Sequence, residues 1–589
     1  MNIITKEQGD LRSEQVRSAL LREDILPGSE ILLRTLLLEG VECVFGYPGG
    51  ALLYIYDAMH GSRQFRHILT RHEQGAIHAA DGYARSTGRT GVCLATSGPG
   101  ATNLVTGIAT AYADSVPLIV ITGNVATTLI GTDAFQEADI IGMTQPITKH
   151  SYFVRRAEDL APTLRRAFYL AGTGRKGPVL VDIPKDVSAE LAAFRYPETV
   201  EVPGYAPYPK PEPERIVELL DALACAERPL LLVGGGAVRS GAEEALLAFA
   251  ERAGIPVTTT LLGMAAFPGG HPLWLGMPGM HGTYAANQAL QQCDLLISAG
   301  ARFDDRVTMK LESFAPKAAV AHIDLDPAEV GKLVPVSIPL IGDVRTVLEA
   351  VIERMPEQPA VQPPAREAWL AQVRRWQEEQ PLRYTDSAAE LKPQYVIELL
   401  SRTSGGEAIV TTDVGQHQMW TAQYFRFTQP RSFLTSGGLG TMGFGFPAAI
   451  GAQIGSPGRL VISVNGDGGM QMCAQELAIC ALHGLPVKIA VINNRTLGMI
   501  RQWQELIYEG RYSHIDLAGS PDFVLLAEAY GVKAFRASSR EEADEVWRAA
   551  LAHPGPALVD FVVAKEELVY PMVPQGRSLD DMILGGGTP

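Results

Sequence analysis

Short apolar segments alternate with helix-length segments along most of this chain. The apolar segments, such as VECVFGY, VPLIVITG and GPVLVDIP, are hydrophobic at successive positions and not at every second one. Strands with this pattern are buried on both faces, as in parallel sheets that helices cover on each side. The alternation therefore predicts an α/β fold built from βαβ units with mainly parallel sheets.

Two proline-rich segments divide this pattern into three series. The first is FRYPETVEVPGYAPYPKPEPE, and the second is MPEQPAVQPPAREAWLAQVRRWQEEQPLRY, which we expect to be partly helical. A chain of 589 residues is also too long for a single core. We predict three doubly wound domains, over residues 28–190, 210–355 and 390–570, followed by a loose tail.

Charge and cysteine content exclude several classes of protein. The net charge of −15 argues against a nucleic-acid-binding surface. The six cysteines are scattered without a C-x-x-C pair, which favours free, buried thiols in a reducing compartment. The N-terminal segment lacks the apolar core of a signal peptide, and no uncharged apolar stretch reaches 18 residues. We expect a cytoplasmic protein that binds neither nucleic acid nor membranes.

Polar residues follow two neighbouring strands of the third series. RLVISVNGDGG ends in Gly466, Asp467 and Gly468, and VKIAVINN ends in Asn493 and Asn494. The carboxyl ends of parallel strands meet at one edge, where open α/β sheets bind ligands. Carboxylate and amide oxygens suit Mg²⁺, and glycines let a diphosphate approach the backbone. The alternative is a pair of ordinary strand-to-helix turns, in which Asp, Asn and Gly are common.

The first series offers a carboxylate in a comparable position. Glu73, in RHEQGA, follows the strand-like segment RHILT and opens a helix. As an ordinary structural feature, it would complement the helix dipole. As a chemical group, a carboxyl at this position could exchange a proton with a bound ligand. YPGGA and SGPGATN predict two further strand-to-helix turns at the same edge.

An ordered set of motifs then identifies a family. Between about residues 40 and 577 the chain contains YPGGA, RHEQGA, TSGPGATN, GTDAFQE, GPVLVDIPKDV, PGMHG, GARFDDRV, KPQYVI, GQHQMW, SGGLGTMG, QWQ and YPMVP. Together they resemble the catalytic subunits of the acetohydroxyacid (acetolactate) synthase family, which use thiamine diphosphate. The resemblance covers more than nine-tenths of the chain and implies the thiamine-diphosphate-binding fold.

The resemblance implies roles for residues of the first and third domains. Glu73 would activate the cofactor through its pyrimidine ring, and the Gly50 amide would stabilise developing negative charge. Asp467, Asn494 and the Thr496 carbonyl would bind Mg²⁺. Met442 would support the bent cofactor, although it could equally be ordinary core filling. The cofactor contacts carried over from the family are Tyr47, Pro48, Gly49, Glu73, Gly100, Asn103, Gly415, Gln416, His417, Gly440, Met442, Gly466, Gly468, Gly469 and Met499.

The middle domain resembles the FAD-binding unit of the family. Its GGG turn lacks the full G-x-G-x-x-G spacing and is weak as a motif. The charged residues of RFDDR could instead form a salt bridge. FAD is expected to be structural, because the condensation transfers no net electrons. The FAD contacts that the resemblance implies are Arg175, Gly234, Gly235, Gly236, His281, Gly300, Arg302, Asp304, Val307, Asp324, Gly342 and Asp343.

Four further residues are expected in the substrate channel. By the resemblance, Arg306 and Trp503 receive the second keto acid, whereas Gln136 and Lys185 line the same channel. A buried tryptophan is more often a core residue, which is the alternative for Trp503. The chain departs from the family pattern at Ile507, where phenylalanine is common, and in the segments GDGGM and VTMK. Because of these departures the resemblance does not extend to channel shape and inhibitor response, but it still extends to the chemistry. The 30-residue N-terminal extension has no interpretation.

The resemblance predicts decarboxylation of pyruvate and condensation with pyruvate or 2-ketobutyrate. It also implies a homodimer or homotetramer, in which Glu73 and Asp467 meet across a subunit interface, and a small regulatory subunit in many members. One alternative is another thiamine-diphosphate enzyme, such as a flavin pyruvate oxidase, glyoxylate carboligase or 2-keto acid decarboxylase. Glyoxylate carboligase is expected to lack Glu73, and a decarboxylase to carry paired histidines. The other alternative is a non-catalytic binding protein that keeps the fold.

Overall fold

The computed structural model describes residues 17–61, 64–356, 364–387 and 389–585. The first part of the N-terminal extension and the end of the expected tail lie outside the described residues. The chain forms two compact units, Met1–Tyr205 and Ala206–Pro589.

The N-terminal unit contains a six-stranded parallel sheet and a two-stranded antiparallel one. Its strands are β1 (Ile25–Pro27), β2 (Cys43–Tyr47), β3 (Arg66–Leu69), β4 (Gly91–Ala95), β5 (Leu118–Asn124), β6 (His150–Phe153), β7 (Pro178–Pro184) and β8 (Leu191–Ala193). The order of the large sheet is β3-β2-β4-β5-β7-β6, and β1 pairs with β8. The α-helices are Gly28–Leu38, Leu53–Met59, Glu73–Thr87, Pro99–Thr102, Val105–Ala113, Ile140–Thr144, Leu160–Gly172 and Lys185–Ala189.

The second unit begins with a five-stranded parallel sheet of order β10-β9-β11-β12-β13. Its strands are β9 (Pro229–Val233), β10 (Val257–Thr259), β11 (Leu295–Ala299), β12 (Ala319–Asp324) and β13 (Ile338–Ile341). The α-helices of this region are Pro213–Cys225, Gly235–Ser240, Glu243–Ala253, Tyr284–Gln292, Asp305–Thr308, Val344–Ile352 and Pro364–Glu379.

A six-stranded parallel sheet of order β15-β14-β16-β17-β19-β18 completes the second unit. Its strands are β14 (Ile409–Thr412), β15 (Phe433–Thr435), β16 (Val461–Gly466), β17 (Lys488–Asn493), β18 (Lys533–Ala537) and β19 (Ala557–Val562). The α-helices are Pro393–Ser404, Gln416–Tyr424, Gly445–Gly455, Asp467–Cys473, Leu477–His483, Gly498–Ile507, Phe523–Ala529 and Arg540–Ala552.

The continuous apolar strands are buried on both faces, as the sequence predicted. In β9, Leu231 and Val233 belong to one hydrophobic cluster, whereas Leu230 and Leu232 belong to another on the opposite face. Alternate side chains of a strand point to opposite faces, so each face of this sheet is covered. The prediction of an α/β protein with three doubly wound parallel sheets is confirmed.

The first and last sheets share one topology. If the strands of each sheet are numbered in chain order, both read 2-1-3-4-6-5, whereas the middle sheet reads 2-1-3-4-5. In each of the three parallel sheets the chain order reverses between the first and third strands. This is the position at which open parallel sheets bind ligands, just beyond the carboxyl ends of the strands.

The second proline-rich segment contains the helix Pro364–Glu379, in agreement with the expected partial helicity. Trp369 and Trp376 of this helix lie in the hydrophobic cluster that also contains Leu230 and Leu232 of β9. The helix therefore packs on the middle sheet. The exact domain boundaries remain predictions.

Two further expectations concern cysteines and membranes. All six cysteines are free, and five are buried. Cys225 differs, since it is the exposed last residue of the helix Pro213–Cys225. Among the described residues, no helix is long and apolar enough to cross a membrane.

Candidate functional site

Glu73 begins the helix that follows β3 in the N-terminal unit. His72 caps this helix by accepting a hydrogen bond from the Gln74 amide. The Glu73 side chain is half-buried, and its Oε2 accepts a hydrogen bond of 2.9 Å from Nδ2 of Asn103. The carboxylate is thus oriented by an amide side chain and not only by the helix dipole.

The two predicted glycine turns meet beside Glu73. A Cβ at Gly49 would lie 2.4 Å from the Thr96 side chain, and one at Gly100 would lie 2.7 Å from it. The Gly100 position is also 3.3 Å from Glu73 Oε1. Gly50 faces open space, with no heavy atom within 4 Å of its Cβ position. The absence of side chains at Gly49 and Gly100 therefore lets the two turns close around Thr96 near Glu73.

Gln136 and Lys185 lie on the same edge of this sheet. Gln136 adopts φ +63° and its carbonyl packs 2.8 Å from the Cβ position of Gly98, in the turn after β4. Lys185 begins the helix that follows β7. In contrast, Arg175 precedes β7 and donates to the Ser115 hydroxyl at 3.1 Å, at the opposite edge of the sheet. The structure thus separates Arg175 from the other predicted residues of this unit.

Asp467 lies at the corresponding edge of the third sheet, directly after β16. It is 2% exposed, and burial raises the pKa of its carboxyl to about 7. Oδ1 accepts a hydrogen bond of 3.0 Å from the Gly468 amide. Oδ2 has no hydrogen-bond partner in the part of the chain that the structure describes. A buried, unpaired carboxylate oxygen is suited to a divalent cation, which would favour the ionised form.

Asn494 and Thr496 lie in the loop after the neighbouring strand β17. Asn494 Oδ1 accepts from the Thr496 amide at 3.2 Å, and Arg495 between them adopts φ +58°. Asn493 anchors this loop, because its Nδ2 donates to buried Asp560 at 2.9 Å. The two asparagines therefore differ: Asn493 anchors the loop on Asp560, whereas Asn494 contacts the Thr496 amide and Gln416.

The turn after β14 brings Gln416 and His417 to the same edge. Gln416 Oε1 accepts from Asn494 Nδ2 at 3.3 Å. The His417 ring lies 3.0 Å from the Cβ position of Gly466, so a larger residue there would have to displace the ring. Burial lowers the pKa of His417 to about 4, and its Nε2 lacks a partner among the described residues.

The remaining predicted contacts of the third domain surround this edge. Gly440 is exposed with φ +70°, and the Met442 methyl lies 3.7 Å from the Cβ position of Gly468. Met499 is half-buried, next to Gly498, whose Cβ would lie 2.1 Å from Gln416 Oε1. Segments distant in sequence thus form one glycine-lined cradle with unpaired polar atoms on Asp467 and His417. This combination fits a diphosphate bound together with a divalent cation.

The glycines of the middle sheet are required by close packing of two turns. Gly236 donates its amide to the Gly300 carbonyl at 3.0 Å. A Cβ at Gly234 would lie 2.2 Å from the same carbonyl oxygen, and Gly300 itself has φ +67°. Gly235 faces the flexible end of Arg239 instead. The GGG turn therefore has a packing role, whether or not it also binds a nucleotide.

The acidic residues at this edge also have local structural roles. Asp304 and Asp343 cap the helices that follow them. Asp324 ends β12 and accepts from the Asp326 amide at 2.9 Å, and its carbonyl accepts from Gly342. Arg302 is half-buried nearby in sequence. The glycines and acids lie where dinucleotides bind in such sheets, which is compatible with FAD.

His281 and Val307 belong to a buried region of the second unit. His281 Nδ1 lies 3.2 Å from the Pro571 carbonyl, and Gln423 donates to the His281 carbonyl at 3.0 Å. Burial lowers the pKa of His281 to about 4, so the ring is neutral at physiological pH. Val307 is also buried. Through these contacts, His281 of the middle domain is joined to Gln423 and Pro571, which lie in the C-terminal part of the second unit.

The two predicted substrate residues of this unit are both accessible. Arg306 is exposed, and its Nη1 lies 3.9 Å from the sulfur of Met280. Trp503 is half-buried on the helix Gly498–Ile507, on which Ile500 and Ile507 are exposed. Trp503 is therefore not a fully buried core residue, in contrast to Trp420 and Trp547. Its contact with substrate remains a prediction.

Sequence reasoning missed three polar residues close to these motifs. Thr96 lies between the turns near Glu73, and its buried hydroxyl has no partner among the described residues. Asp560 holds Asn493, as described above. Asp413 follows β14, and burial raises its pKa to about 6. Thr96 begins the motif TSGPGATN and Asp413 lies two residues before GQHQMW, whereas Asp560 lies in β19, away from the quoted motifs. Only the fold shows which atoms each of them contacts.

Comparison with protein families assigns each of the three parallel sheets to a domain of thiamine pyrophosphate enzymes. The models of the thiamine pyrophosphate enzyme N-terminal TPP binding domain, central domain and C-terminal TPP binding domain match residues 26–143, 216–351 and 413–561. These matches cover the candidate cofactor edges of the first and last sheets.

Curated relatives match over nearly the whole chain. It is 51% identical to an acetolactate synthase of Mycobacterium bovis, over 95% of this chain and 91% of the relative. The acetolactate synthase large subunit of Corynebacterium glutamicum is 47% identical, over 99% and 94%. The acetolactate synthase isozyme 3 large subunit of Escherichia coli is 46% identical, over 95% and 99%. The chain therefore belongs to the acetolactate synthase large-subunit family of thiamine pyrophosphate enzymes.

Proposed function

We propose that this chain decarboxylates pyruvate and condenses the two-carbon unit with pyruvate or 2-ketobutyrate. The products are 2-acetolactate and 2-aceto-2-hydroxybutyrate, in the first common step of valine, leucine and isoleucine biosynthesis. The observation that supports this most directly is the polar cradle of Asp467, Asn494 and His417 at the carboxyl edge of a thiamine-pyrophosphate domain.

Asp467, Asn494 and the Thr496 carbonyl are the proposed ligands of Mg²⁺. The unpaired Oδ2 of Asp467 supports this assignment, because a dication compensates the cost of ionising a buried carboxyl. The amides of Gly466, Gly468 and Gly469 begin a helix and suit a diphosphate. Bound thiamine diphosphate supplies the electron sink for decarboxylation.

Glu73 is the proposed proton-exchanging group of the N-terminal unit. Its Oε2 is held by Asn103, which leaves the carboxyl in one orientation while the side chain stays accessible. A carboxyl in this state can hold a proton at a pyrimidine ring nitrogen and return it. Gly50, whose Cβ position faces open space, offers its amide as a donor to negative charge.

Arg306 and Trp503 are the proposed acceptors of the second keto acid. The exposed guanidinium of Arg306 suits a carboxylate, whereas the indole of Trp503 suits the alkyl group. Gln136 and Lys185 line the approach. FAD occupies the middle domain in a structural role, at the edge formed by Gly234–Gly236, Gly300, Asp324 and Asp343.

The assembly that we propose is a cytoplasmic homodimer or homotetramer. The names of the relatives, which call them large subunits, support a separate small regulatory subunit. The substrates are small keto acids, and the protein uses neither nucleic acid nor membrane as a partner.

A direct assay tests the proposed reaction. The purified protein is incubated with pyruvate, Mg²⁺ and thiamine diphosphate, and acetolactate formation is measured. No acetolactate from a folded protein that binds the cofactor would refute the reaction.

The metal site has its own test. Asp467→Ala should abolish Mg²⁺-dependent cofactor binding in calorimetry, because it removes the charged ligand from an anionic site. Glu541→Ala is the matched control, since Glu541 is also an acidic residue in the first turn of a helix of this domain. Unchanged affinity in Asp467→Ala would place the metal elsewhere.

A further inference from the structure

Asp413 is a fully buried carboxylate to which the proposed reaction assigns no role. It follows the last residue of β14 and precedes the turn that carries Gln416 and His417. Burial of a carboxylate is costly unless its oxygens are hydrogen-bonded. The groups that the Asp413 carboxylate contacts therefore indicate its role.

One oxygen of Asp413 joins two loops of the candidate cofactor edge. Oδ1 accepts from the Val414 amide at 2.9 Å and from the Gly443 amide at 2.8 Å. Val414 leads into the Gln416 turn, and Gly443 directly follows Met442. Burial raises the pKa of Asp413, and the nearby backbone amides of Phe444 and Gly445 partly offset that rise. The position of Met442 is thus tied to that of Gln416.

The other oxygen packs against a third loop. A Cβ at Gly469 would lie 1.7 Å from Asp413 Oδ2, so no larger residue fits beside the carboxylate. Gly469 belongs to the helix that begins at Asp467. Asp413 Oδ2 has no hydrogen-bond partner within the described segments of the chain. Oδ1 thus accepts both hydrogen bonds, and Oδ2 packs against the helix that begins at Asp467.

A simple helix cap would explain only part of this arrangement. The helix Gly445–Gly455 has no side-chain cap from Phe444, and Asp413 supplies acceptors at its start. A cap alone would contribute to stability and nothing else. The Val414 bond and the Gly469 contact instead connect this start to the two loops that bear the proposed diphosphate and metal contacts.

We propose that Asp413 is a positioning residue for the diphosphate end of the cofactor site. Its carboxylate fixes the turn of Gln416 and His417, the loop of Met442 and the helix that begins at Asp467 in one arrangement. It acts through backbone amides and packing. This role rests on the proposed function, because it concerns the same cofactor.

Two variants separate positioning from general stability. Asp413→Asn keeps a carbonyl that can accept from both amides, so its Kd for thiamine diphosphate with Mg²⁺ should stay within about threefold of wild type. Asp413→Leu keeps the branched shape with larger methyl groups but has no acceptor, and its Kd should rise at least about tenfold. Calorimetry measures both values on the full-length protein.

Val559→Ala is the control, because Val559 is fully buried in β19 of the same sheet. It should lower the melting temperature of the apoprotein without changing the Kd.

If Asp413→Leu does not fold, Asp413→Ser replaces it, since the short serine hydroxyl cannot reach the Gly443 amide.

Two results would overturn the role of Asp413. The first is a folded Leu or Ser variant that loses stability as the control does but keeps the wild-type Kd. The second is an Asn variant that binds as weakly as the Leu variant. Wild-type cofactor binding and acetolactate formation are measured in the same series. Failure of both in wild type would refute the proposed function, whereas failure confined to the variants concerns Asp413 alone.

Discussion

Glu73 and Glu30 show how two similar carboxylates can differ in their surroundings. Both lie in the first turn of a helix in the N-terminal unit. Glu30 is exposed, whereas Glu73 is half-buried and hydrogen-bonded to Asn103. The helix dipole acts on both, so the amide contact and the adjacent glycine turns are what distinguish Glu73.

Glu73→Gln should leave the fold intact and lower turnover by roughly 10²–10⁴-fold, the usual contribution of a general acid–base group. The glutamine oxygen can still accept from Asn103, but an amide cannot exchange the proton. Turnover is measured by acetolactate formation, with Glu30→Gln as the control. Activity of Glu73→Gln within about threefold of wild type would contradict the assignment.

At the scale of elements, the helix Pro364–Glu379 shows how a connecting segment becomes part of a domain. Arg366 is buried and donates through Nε to the Ala226 carbonyl at 3.0 Å. It also donates to the carbonyls of Leu223 and Ala253. These carbonyls end two helices of the middle domain, where cations are favourable.

Arg366→Ala should therefore destabilise the apoprotein by about 1–3 kcal/mol, because it removes the donor from three carbonyls. Urea unfolding followed by tryptophan fluorescence reports on this region, since Trp369 and Trp376 lie on the same helix. Arg374→Ala removes an exposed arginine from this helix and should have little effect. Equal unfolding curves for both variants would show that Arg366 does not cap these helices.

The helix Gly498–Ile507 is expected to determine the choice of the second substrate. Pyruvate and 2-ketobutyrate differ by one methylene, which an apolar wall discriminates by about 1–3 kcal/mol, or roughly 10–200-fold. Trp503→Leu should lower the preference for 2-ketobutyrate while pyruvate self-condensation continues. Competition assays with both keto acids measure the product ratio.

Tyr508→Leu is the control, since it trims an exposed aromatic ring just beyond the same helix. An unchanged product ratio in folded Trp503→Leu would make Trp503 an ordinary packing residue.

At the scale of the whole molecule, two sheets of identical topology flank a sheet of different order along the chain. The two similar sheets match the N-terminal and C-terminal TPP binding domains, and the middle sheet matches the central domain. We expect the central domain to bind a different group, FAD, at its own carboxyl edge.

The purified protein should be yellow, with flavin absorbance that survives gel filtration and turnover that needs no reductant. Gly300→Ala should lower the flavin content, since its Cβ would lie 2.7 Å from Gly236 and separate the two turns. Gly270→Ala is the control, because its Cβ would face open space. A colourless protein that forms acetolactate without added FAD would exclude a flavin in the middle domain.

Local patterns determined the α/β class, the parallel sheets and the family. Continuous apolar strands reveal burial on both faces, because burial of a strand requires apolar side chains at successive positions. The ordered motifs predicted which turns lie together at the candidate cofactor edges, because turns after parallel strands meet at one edge of a sheet. These features depend on neighbours in sequence, which the chain itself displays.

Only the tertiary structure decided what individual polar residues contact. Asn493 and Asn494 are adjacent, yet one anchors a loop on Asp560 and the other faces Gln416. The GGG turn is explained by Gly300, which lies more than 60 residues later in the chain. The contacts of Asp413 similarly involve Gly443 and Gly469, which lie 30 or more residues later in the chain. Hydrogen bonding and close packing act between residues that the fold brings together, so no local pattern can specify these partners.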